Sequence, residues 1–193
     1  AGGLRGEAKY QALVALCREA GVTHIDCQQN TGHLARIHNR LQTALVVPRI
    51  IEALNDASDY VKGCAEDALD DVLMFTRSAP YDREAAGALL VSGRIDLILI
   101  GLHDIAKNDA DAKFAEARCF EFIQHPNEVV RGQALKGFAT MVYENRKVDL
   151  ERILPVLKDS SELETYEGRC AAGSLEAIQI YLEADGKDEG YDS

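Results

Sequence analysis

Residues 54–73 read LNDASDYVKGCAEDALDDVL, and their spacing decides the fold. Val61, Ala65, Ala68, Leu69, Val72 and Leu73 recur at helical intervals, which places one apolar stripe on one face of a helix beginning near Tyr60. Val46, Val47, Ile50, Ile51 and Leu54 form a second stripe of the same period. Asn55 to Asp59 between the two stripes is a polar turn rich in helix-capping residues, so the stretch predicts a helical hairpin.

The chemistry of this hairpin recurs. Val130-Arg131-Gly132-Gln133-Ala134 follows the turn Gln124 to Glu128 and repeats the order of Val61-Lys62-Gly63-Cys64-Ala65, and Phe138 falls where Leu69 does. A third copy runs through Leu150, Ile153, Leu154, Pro155 and Leu157, a turn at Lys158 to Ser161, and a helix carrying Cys170, Ala171, Leu175, Ile178 and Leu182, with Glu167 in the valine slot. Ala65 and Ala134 are 69 residues apart and Ala134 and Ala171 are 37 apart, so the wider gap holds one further unit. That unit is Arg83 to Leu90 followed by Arg94 to Lys107, without the signature.

From about Leu45 to Leu182 the pattern resembles the HEAT-like and armadillo-type helical repeat family: an apolar helix, a polar turn, then a helix opening Val-Lys/Arg-x-x-Ala. The resemblance implies an all-α fold, a right-handed α-solenoid of stacked antiparallel hairpins. It divides the chain into an N-terminal helical pair or capping repeat at 1–46, repeats at 47–182, and an acidic flexible tail at 183–193. The N-terminal pair is expected as helices at Arg5 to Ala20 and His33 to Val46. Val61, Ala65, Leu69, Val130, Ala134, Phe138, Ala171 and Leu175 are then core positions of successive second helices.

Composition agrees with a helical core and sets the surface. The 193 residues are 47% hydrophobic with four prolines and no tryptophan, and no segment alternates with period two. Five cysteines without CxxC spacing read as small apolar fillers in a reducing compartment. No apolar run is long enough to span a bilayer, and no secretory segment opens the sequence, so a cytoplasmic protein is expected.

The net charge is −11, and its distribution is uneven. Residues 1–44 carry five Lys/Arg against three Asp/Glu, which leaves sixteen against twenty-nine for the rest. Such a body lacks the basic stripe that tracks phosphates, which excludes nucleic acid as the expected partner and disfavours a base-excision glycosylase of the HEAT-like class. The expected function is protein binding, as adaptor, scaffold, regulator or neutralising partner of a more basic protein. The partner-facing residues are expected to be Lys62, Glu66, Asp67, Asp70, Asp71, Arg131 and Lys136, with Glu176 also outward and no cofactor required.

Two constellations are weighed as chemistry. His24, Asp26, Cys27, His33 and His38 lie close in sequence, but their spacing fits no zinc-finger pattern and reads as a polar surface loop. His103-Asp104 resembles the His-Asp step of the HD-domain metal phosphohydrolases, which implies a divalent ion that activates water. No histidine lies between His38 and His103 to supply the upstream ligand of that family. This hydrolase and a bilin-lyase-like HEAT protein are the alternatives to a binding module.

Overall fold

The computed structural model describes residues 40–75 and 80–188. The described residues are all-helical, with eight helices and no strand among them. The chain separates into two compact units, 1–80 and 81–193.

The first unit contains α1, Arg40–Leu54, and α2, Asp59–Phe75. They pack against each other, and Val47, Ile50, Leu54, Ala65, Leu69 and Leu73 are buried. The turn is built from its own polar groups. The Asp56 carboxylate accepts from the Ser58 amide at 3.0 Å, and the Ser58 carbonyl receives the Lys62 amide that opens α2. The boundary drawn at 46/47 falls inside α1, which runs through Pro48. Residues 1–39, with the expected N-terminal helix, the start of its partner and the His24 to His38 loop, lie outside the described residues.

The second unit contains α3 (Arg83–Leu90), α4 (Ile95–Asn108), α5 (Ala112–Phe122), α6 (Glu128–Tyr143), α7 (Leu150–Ser161) and α8 (Tyr166–Asp188). Side-chain caps start most of these helices. Asp82, Asp111, Asn127 and Asp149 each accept from amides of the first turn that follows, satisfying donors with no partner inside the helix. Within this unit α3 pairs with α4, α5 with α6 and α7 with α8, while α4 lies against α6 and α6 against α8. The unit expected at Arg83 to Leu90 and Arg94 to Lys107 is present as α3 and α4.

Two glycines make α6 the centre of this packing. A Cβ on Gly137 would stand 2.7 Å from Cys119 Sγ of α5 and 3.3 Å from Ala106 of α4. On Gly132 it would stand 2.8 Å from the Tyr166 ring and 3.0 Å from Cys170 Sγ of α8. Only hydrogen at these positions lets three helices approach α6 so closely. Burial pushes the Cys119 thiol up to about 12, aided by nearby Glu116, which makes it an unreactive packing group.

The core follows the sequence pattern with two exceptions. Ala65, Leu69, Val130, Ala134, Phe138 and Ala171 are buried, whereas Val61 and Leu175 are only half-buried. Val61 sits in the first turn of α2 beside exposed Tyr60, and Leu175 lies on α8, whose neighbour α7 buries only Ile153 and Leu157. The turn placed at Lys158 to Ser161 is instead the last turn of α7. Serine is tolerated there because the Ser161 hydroxyl donates to the Lys158 carbonyl at 2.7 Å. The last helix continues through Asp188, and residues 189–193 lie outside the described residues.

Candidate functional site

The acidic stretch of α2 belongs to the first unit. Asp67 and Asp70 are exposed and Glu66 and Asp71 half-buried, in a helix with five carboxylates and one lysine. Lys62 reaches back to Asp59 at 3.0 Å, within its own helix. The crowding of the acids has an electrostatic consequence. Burial pushes the Asp71 carboxyl above its ordinary range, and the charges of Asp67 and Asp70 push it further in the same direction.

Arg131 and Lys136 belong to the second unit, on α6. The Arg131 guanidinium donates to Glu167 at 2.7 Å and to the carbonyls of His125 and Pro126 at 2.9 and 3.0 Å. It therefore ties the turn before α6 to the first turn of α8. Glu167 is buried, so the charge in the valine slot of the third copy is explained by this guanidinium. Lys136 is half-buried one helical turn beyond Gly132, and Glu176 is exposed on α8.

A polar corner that the sequence did not single out centres on Asp109, fully buried after α4. Its carboxylate accepts from Arg83 at 2.7 and 2.5 Å, from the Tyr81 hydroxyl at 2.5 Å and from the Asp111 amide at 2.8 Å. Arg146 donates to the carbonyls of Asp109 and Lys107. Burial alone would raise the Asp109 carboxyl, but Arg83, Tyr81 and the Asp111 amide together hold it below the usual carboxylate range. Burial and the bond to Asp109 push the Tyr81 phenol well above its ordinary value. The corner clamps the start of α3, the α4–α5 connection and the α6–α7 connection together. Its side-chain partners Tyr81, Arg83 and Arg146 stand 26 to 37 residues from Asp109 in sequence, so no local pattern announces it.

At the C-terminal end of α6, the exposed Tyr143 ring lies 6.1 Å from Tyr181, whose hydroxyl donates to the Asn145 side-chain oxygen. Asn145 holds a positive φ of 55°, which its short polar side chain tolerates.

His103 and Asp104 are half-buried on α4, with Ile98, Gly101, Leu102 and Ile105 buried beside them. The Asn108 amide donates to the Asp104 carbonyl at 3.2 Å. Among the described residues no three His, Cys, Asp or Glu side chains gather as a cluster that could hold a metal ion. No described helix is long and apolar enough to cross a membrane. No family model, no curated protein and no solved structure matches this sequence.

Proposed function

We propose that the chain is a HEAT-like helical-repeat module that binds another protein, acting as adaptor, scaffold or neutralising partner for a basic one. The observation that supports it is the order of packing in the second unit. There α4, α6 and α8 neighbour one another in chain order, each with its preceding helix beside it, an order of neighbours that supports reading the unit as stacked hairpins. In this reading the second helices of the second unit form a binding wall, to which Lys136 and Tyr143 of α6 contribute. The first unit by itself presents the acidic residues Glu66, Asp67, Asp70 and Asp71 of α2.

Charge complementarity gives such a surface speed and register more than affinity. Four like charges within two helical turns cost stability, and a basic partner offsets that cost on binding. The test is capture from a cell extract with the full chain and with Glu66→Lys/Asp70→Lys. A basic protein retained at low salt by the wild type and lost by the variant supports the reading. Capture that is indifferent to the reversal, or no capture at all, contradicts it.

A further inference from the structure

Ser161 is the one serine or threonine of the sequence with a carboxylate at both the first and the third position after it, Glu162 and Glu164, and Asp159 stands two before it. It ends α7, half-buried, and Glu162, Leu163 and Glu164, which lead on toward α8, are exposed. The turn is held locally: the Ser161 hydroxyl donates to the Lys158 carbonyl at 2.7 Å, and the Leu163 amide donates to the Ser160 carbonyl at 3.1 Å. The last turn of a helix frays at small cost, so the serine and the two carboxylates after it can be presented together as an extended segment.

We propose that Ser161 is a phosphorylation site for an acidophilic serine kinase, and that the phosphate loosens the turn joining α7 to α8. Kinases choose substrates by charge pattern, and a basic groove reads carboxylates at the first and third positions after the serine. In the transfer the Ser161 oxygen attacks the γ-phosphorus of a nucleoside triphosphate supplied by the kinase. The bond to the diphosphate breaks, and the hydroxyl proton passes to the kinase's catalytic carboxylate. The product carries about two negative charges. They stand at the C-terminal end of α7, where the helix dipole is itself negative, and among Asp159, Glu162 and Glu164. Lys158, exposed three residues before, is the one cation in residues 158–164. Phosphorylation also removes the hydrogen that Ser161 donates to the Lys158 carbonyl. Leu163 carries the effect to α8. A Cβ on Gly168 would stand 1.9 Å from the Leu163 carbonyl oxygen, so the connection lies directly on the first turn of α8, next to Glu167, which binds Arg131 of α6.

The test incubates the full-length chain with magnesium ATP and a purified serine kinase that selects a carboxylate at the third position after the serine, and maps the product by peptide mass spectrometry. One phosphate on Ser161 is expected, and none on Ser161→Ala. Glu164→Lys is expected to slow incorporation by about tenfold while leaving the thermal midpoint of the unmodified chain unchanged, because Glu164 is exposed. The phosphorylated chain is expected to exchange its Leu163 amide with solvent faster and to melt about 2 °C lower. Failure of the kinase to modify Ser161 overturns the proposal, as do modification of Ser160 in its place and incorporation indifferent to Glu164→Lys. An exchange rate or a midpoint that does not move in the stated direction overturns the loosening, and the phosphate would then be paired with Lys158.

Discussion

The helices α2 and α6 share a valine, a basic residue, a glycine and an alanine at the same spacing near their N-terminal ends and meet different surroundings. In α6 the basic residue, the glycine and the leucine one turn on are covered by α8. In α2 the basic residue turns back on Asp59, the glycine is open, and a glutamate takes the place of the leucine. A repeat signature therefore specifies how a helix packs on its own hairpin partner, through Ala65 and Leu69 or Ala134 and Phe138. What lies on the neighbouring face is specified by other residues.

The largest difference between the two regions should come from the basic residues. Arg131→Ala leaves Glu167 buried without its cation and is expected to cost about 3 kcal/mol, whereas Lys62→Ala, which loses an exposed pair, should cost about 0.5 kcal/mol or less. Urea unfolding of the two variants checks this, and equal losses would mean that Arg131 does not join α6 to α8.

The Asp109 corner sharpens the contrast through pH, since it has no counterpart among the described residues of the first unit. Its folded-state pKa lies below the unfolded value, so its stabilisation is present above about pH 4 and is lost as pH falls through the folded value. Asp109→Asn is expected to cost about 2 kcal/mol at neutral pH. That deficit should shrink toward zero as the solution is acidified through the window below about pH 4. A deficit independent of pH would show that the carboxylate charge is not what holds Tyr81, Arg83 and the Asp111 amide in place.

A smaller effect is expected at Gln133, the slot that holds Cys64 in α2 and Cys170 in α8. Its side-chain oxygen is buried without a hydrogen-bond partner. Gln133→Met keeps the length, removes the stranded acceptor and should stabilise by about 1 kcal/mol. Destabilisation in thermal unfolding would mean that the amide is satisfied in solution.

Much of the helical layout was legible in the sequence because periodicity is local. The stripes of α2, α6 and α8 and the pair α3 and α4 needed only spacing and polar breaks to be seen. Helix α5 was not singled out, since AKFAEARCFEF places apolar residues on nearly every side. The serines of α7 looked like a turn because their hydrogen bonding back into the helix is invisible without coordinates. Arg131 is expected to face a partner, and in the structure its guanidinium also pairs with Glu167. The signal was present in the sequence as a carboxylate in an apolar slot, which demands a buried cation. Tyr81, Arg83, Asp109 and Arg146 gave no such signal, because each is ordinary in its own segment and they meet only through the fold.

The most direct test of the contrast between α2 and α6 is a pair of alanine substitutions measured by equilibrium unfolding. Gly63→Ala gains helix propensity with nothing to displace, and is predicted to stabilise by up to about 1 kcal/mol. Gly132→Ala makes the same gain but drives a methyl group to 2.8 Å from the buried Tyr166 ring, and is predicted to destabilise by a net of about 1 kcal/mol. Opposite signs are the predicted result. Changes of the same sign at both glycines would contradict it, showing that the two copies of the repeat present the same face to the same kind of neighbour.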